Sequence, residues 1–81
     1  MKLSGEIQEI WDDLLQQLPL PVRDGVRARA EALAEEHIEA AGSLDTEDGV
    51  RAFVQATPVD LRANLNRTLN LHGLDPVDFE A

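Results

Sequence analysis

The sequence predicts an all-α fold, a compact single-domain bundle of about four short helices, and three observations carry that expectation. Apolar residues recur at helical spacing almost throughout, no stretch alternates with the period of two that marks a half-buried strand, and prolines and glycines fall where helices should end. No internal repeat or low-complexity segment interrupts the pattern. A chain of 81 residues has room for one domain, which buries roughly 60–65% of the surface its unfolded form exposes.

The first helix is expected over residues 5–18. Ile7, Ile10, Trp11, Leu14, Leu15 and Leu18 make one apolar stripe. Ser4 is its N-cap, Glu6 and Glu9 suit the positive end of the dipole, and Pro19 and Pro21 stop it. A second helix, 22–41, opens near Leu20-Pro21 or Asp24-Gly25. It carries Val22, Val26, Ala30, Leu33, Ala34, Ile38 and Ala41 on one face up to Gly42, a natural residue just past a helix end. Asp45 or Thr46 caps a third, 47–56, marked by Val50, Phe53 and Val54. Thr57-Pro58-Val59-Asp60 reads as the cap, first-turn proline and returning acid of a fourth, 58–72, with Leu61, Leu65, Leu69 and His72 at i+4 steps and Gly73 as its stop. Residues 73–81 form a short tail in which Val77 and Phe79 call for cover.

Composition excludes more than it assigns. Sixteen Asp+Glu against seven Lys+Arg give a net charge of −9, which argues against nucleic acid or an anionic membrane as partner, since both need cations to neutralise phosphate. There is no cysteine, hence no disulfide framework, thiolate metal site or cysteine nucleophile. Met1–Leu3 leads straight into an acidic amphipathic stretch, unlike a secretory signal, and no apolar run approaches the ~20 residues that span a bilayer. A cytoplasmic location is expected.

Tests for chemistry fail one by one. A carboxylate-bridged metal bundle uses Glu-x-x-His, but Ala34 precedes His37 and Leu69 precedes His72 by three. Counting back from Gly49, Leu44, Thr46 and Asp48 stand where a calcium loop needs three acids or amides. His37 and His72 read as a surface and a helix-end histidine. Ser4 and Ser43 lack the Gly-x-Ser-x-Gly setting of a nucleophile elbow. No catalytic residue, metal ligand or cofactor is expected, and the chain reads as non-enzymatic.

Charge placement says more. The second helix begins with Arg23, Arg27 and Arg29 and ends with Glu31, Glu35, Glu36 and Glu39, the reverse of what its dipole favours. Glu31, Glu35 and Glu39 repel at i,i+4 spacing. No Lys or Arg lies between Arg29 and Arg51, whereas Glu31, Glu35, Glu36, Glu39, Asp45, Glu47 and Asp48 all do. Local rules broken together mark a surface shaped for something besides stability. Glu35, Glu36, Glu39, Asp45, Glu47 and Asp48 are therefore candidate contacts for a partner protein with a basic surface. Two other classes stay open: an acidic inhibitor that mimics nucleic acid with this cluster, and an acyl-carrier-like protein modified on Ser43. The second rests on Gly42-Ser43-Leu44-Asp45-Thr46, which resembles a phosphopantetheine-accepting segment but has Gly42 where that family has Asp.

A longer resemblance spans about residues 11–53. Trp11, Leu15, Leu18-Pro19-Leu20-Pro21-Val22-Arg23, Val26-Arg27, Ala30-Glu31 and Ala34-Glu35, followed by Thr46-Glu47, Val50 and Ala52, resemble the small C-terminal helical domain of the B subunit of light-independent protochlorophyllide reductase. The second helix here runs on through His37–Ala41, where that family usually has a glycine earlier, and residues after Pro58 have no counterpart. The resemblance implies an accessory module associated with a nitrogenase-like complex, without cluster ligands of its own. It also implies that Arg23 and Arg27 are polar contacts, toward a partner carboxylate or a propionate-like group, unless they pair internally with Asp12 or Asp13.

Overall fold

The apolar stripe of the first helix folds as its spacing dictates. In the computed structural model, which describes residues 3–79, α1 spans Gly5–Leu15, and Ile7, Ile10, Trp11, Leu14 and Leu15 are all buried. The Ser4 hydroxyl accepts the Ile7 N–H at 3.2 Å, satisfying one of the donors that a helix start leaves open. The helix ends three residues before the expected Leu18. The backbone tightens into a turn, with Gln17 N–H donating to Leu14 O and Leu18 N–H to Leu15 O. Leu18 is nonetheless buried, so the stripe continues through a non-helical turn and spacing alone overran the boundary.

Pro19, extended at ψ 142°, turns the chain into α2, Leu20–Ala41, which starts two residues earlier than expected. Its covered face is narrow and made of small residues: Val26, Ala30 and Ala34 are buried. Gly42 closes it at φ 85°, giving its N–H to Ile38 O at 2.7 Å. Asp45 then caps α3, Thr46–Ala56, accepting the Asp48 N–H on Oδ1 at 2.8 Å. α3 runs antiparallel to α2, since Arg29 reaches Ala56 O while His37 reaches Asp48.

The fourth expected helix is corrected by the structure. Residues Val59–Leu65 form a 3-10 helix, and only Asn66–Leu71 is the α-helix α4. Thr57 does not cap the 3-10 segment. It ends α3, and its buried hydroxyl donates to Phe53 O at 2.9 Å. Leu65 and Leu69 still fill the core, so the i+4 spacing found the buried face while missing the winding. Gly73, at φ 77°, stops the chain, and a 3-10 turn at Pro76–Phe79 comes after it. Phe79 is buried beneath Arg51, whose guanidinium lies 5.8 Å from the ring centre, while Val77 stays exposed. Glu80 and Ala81 of the expected tail lie outside the described residues. The architecture is all-α, with four α-helices and no strand among the described residues.

One contiguous apolar cluster joins all four α-helices. Its centre is Trp11, fully buried, tilted against Phe53 with ring centres 5.8 Å apart. The indole N–H donates to Gly49 O at 3.0 Å across the α1–α3 contact. Gly49 suits that approach: a Cβ there would lie 2.9 Å from Ile7 Cδ1, so a larger residue would force the Ile7 side chain to move.

Candidate functional site

The eight candidate contacts divide into three groups once their partners are known. Asp45, Glu47 and Asp48 surround the start of α3, and each has internal work. Asp45 caps the helix, Asp48 meets His37 at 3.1 Å, and Glu47 lies 3.8 Å from Arg51 one turn on. The His37–Asp48 contact ties the acidic end of α2 to α3, so His37 is a half-buried bridge rather than a free surface group.

Glu35, Glu36 and Glu39 behave differently. Helical spacing turns them away from the buried Val26–Ala30–Ala34 face, all three are exposed, and none has an ion-pair partner among the described residues. The last turn of α2 carries no basic residue, so the negative end of the dipole adds to the field of these carboxylates. Glu31, the fourth acid of this half, is neutralised by Arg27 at 3.3 Å.

Arg23 and Arg27 are spent inside the molecule. Arg27 bonds both Glu31 and, at 3.4 Å, Asp12 of α1, the internal pairing that stood as the alternative to a ligand contact. Arg23 meets no carboxylate among the described residues. Its Nε donates to Leu18 O at 2.8 Å and its Nη2 to Gln16 O at 3.3 Å, satisfying carbonyls of the turn that follows α1.

The same clasp recurs where sequence reading had not placed one. Arg62 Nε donates to Thr57 O at 2.9 Å and its Nη2 to Gln55 O at 3.3 Å, closing the end of α3. The signal was present as Pro-x-x-x-Arg, at Pro19–Arg23 and again at Pro58–Arg62. Arg29 and Arg51 likewise donate to backbone carbonyls, of Ala56 and Asp78. Five of the six arginines are thus committed to helix ends and internal pairs, Arg67 alone standing exposed without a bond among the described residues, while Glu35, Glu36 and Glu39 are left outward. A further tie, between His72 Nε2 at the end of α4 and Asp13 Oδ2 of α1 at 2.8 Å, was also unforeseen.

Ser43 is exposed in the turn between Gly42 and the Asp45 cap. Among the described residues no group of three or more His, Cys, Asp or Glu is placed to hold a metal ion, and no helix is long and apolar enough to cross a membrane. Comparison with known proteins finds no match among family models, curated proteins or solved structures.

Proposed function

We propose that this chain is a non-enzymatic interaction module that presents the outer face of the C-terminal half of α2 to a basic surface on a partner protein. The observation that carries the reading is the division of charge. Among the described residues Glu35, Glu36 and Glu39 stand exposed and unpaired, while five of the six arginines, Arg23, Arg27, Arg29, Arg51 and Arg62, are held by carbonyls or acids of the chain itself. An outward acidic field of this kind steers a basic partner and sets the register of docking. Asp45, Glu47 and Asp48 extend the field at its edge while capping and pairing. In its most specific form, suggested by the resemblance over residues 11–53, the partner is a subunit of a nitrogenase-like reductase complex.

The test is affinity purification from the native cell, then binding to the identified partner. Reversing Glu35, Glu36 and Glu39 to lysine should weaken that binding by about tenfold or more and flatten its salt dependence. A control triple, Glu6, Glu9 and Asp60 to lysine, makes the same change in net charge elsewhere and should cost far less. Equal losses from the two triples would refute the assignment of the face.

A further inference from the structure

Beside the second arginine clasp lies a groove of about 360 Å³. Buried Val54 and Leu69 line it together with exposed Val59 and Ala63, and Arg62 and Asn66 supply its polar groups. Arg62 is not a loosely held surface cation. The two bonds to Thr57 O and Gln55 O fix the plane of its guanidinium, and Nη1 is left without an acceptor among the described residues.

The first joint is an internal control. Arg23 makes the same pair of bonds, but the residue after it is Asp24, where the second joint has Ala63. One turn further on, Arg27 is already neutralised by Asp12 and Glu31, where the second joint has the uncharged Asn66. Among the described residues, only the second joint therefore combines an oriented guanidinium with apolar walls and a groove lining that holds no carboxylate. Small-molecule sites take this form, an apolar pocket of a few hundred Å³ with a few fixed polar groups. A backbone-held guanidinium is suited to a carboxylate.

We propose that this groove binds a small aliphatic carboxylate, its chain against Val54, Val59, Ala63 and Leu69 and its carboxylate on Arg62, with the Asn66 amide as second donor. The site shares no residue with the acidic face of α2 and does not depend on that face binding a protein. Octanoate titrated into the full ¹⁵N-labelled chain should move the amide signals of Val59, Ala63 and Asn66 saturably. Octan-1-ol, with the same chain and no charge, should bind about tenfold more weakly or worse, because it forfeits the charge-assisted bond. Arg62→Gln should cost octanoate a similar factor, while Arg23→Gln should leave its affinity unchanged. Equal affinity for the acid and the alcohol, shifts confined to other residues, or no saturation would overturn the proposal. Because Arg62→Gln also opens the clasp, Ala63→Glu gives an independent reading. It places a carboxylate in the groove with both clasp donors intact, and undiminished octanoate binding in that variant would equally overturn the assignment.

Discussion

The joint between α1 and α2 and the joint between α3 and the 3-10 segment are built alike and lead to different helices. In each, a proline with ψ 142° turns the chain, and an arginine four residues on reaches back to the carbonyls of the residues one and three before that proline. After the first, the chain continues as 22 residues of α-helix; after the second, it winds as 3-10 for 7 residues before 6 of α-helix. The clasp therefore sets direction without setting winding. What differs is cover. α2 lies along α3 through Val26, Ala30 and Ala34, whereas Val59–Leu65 buries only Leu65 and borders an open groove. Helices in proteins draw most of their stability from such packing, and a 3-10 run of this length is uncommon where packing favours the α form.

The corner residue of each joint provides the largest test. Leu18 and Thr57 are both buried, but Leu18 contributes apolar volume while Thr57 contributes a hydrogen bond to Phe53 O. Leu18→Ala should destabilise the fold by about 2–4 kcal/mol, and Thr57→Val by about 1 kcal/mol, measured by urea unfolding. Similar costs would mean the corners do the same work and the contrast is wrong. The clasps come next. Arg23→Ala and Arg62→Ala each remove two charged donors from backbone carbonyls of the joint and should each cost about 1–2 kcal/mol. The comparison predicts agreement to within about 0.5 kcal/mol, a margin set by the usual scatter of independent sites; a wider gap would break the equivalence. The smallest effect is at exposed Asn64 in the 3-10 segment. If cover rather than propensity governs winding, Asn64→Ala should leave the ellipticity at 222 nm unchanged and stabilise by less than about 0.5 kcal/mol. A clear gain in α-helical signal would instead assign the 3-10 form to local sequence.

These joints also mark how far the sequence could be read. The stripe Ile7–Leu15, the Ser4 and Asp45 caps and the Gly42 and Gly73 stops were legible because each is a local rule satisfied locally. Leu18 misled because a buried turn residue keeps helical spacing without helical backbone. The fourth helix misled because Leu61, Leu65 and Leu69 suit an α-helix at i+4 steps, and the absence of a covering neighbour is not written in those residues. In the candidate face, the excess of acid was visible but its pairing was not. Asp48 pairs with His37 across two helices, and Arg23 and Arg62 bond to carbonyls, acceptors that every residue carries and no side-chain pattern reveals. The Pro-x-x-x-Arg spacing acquires meaning only when both copies are seen to close a helix.

Trp11 gives the molecule a built-in optical reporter. It is the only tryptophan in a chain without tyrosine, so light absorbed near 280 nm belongs to one residue. That residue is sealed from solvent at the contact of α1 with α3, its indole N–H on Gly49 O and its ring against Phe53. Its emission should be blue-shifted in the native state and move to the red when α1 separates from α3. Fluorescence therefore reports on the centre of the core, while circular dichroism reports on winding throughout the chain, including the 3-10 segment. Tracking both in one unfolding experiment separates loss of the core from loss of either joint.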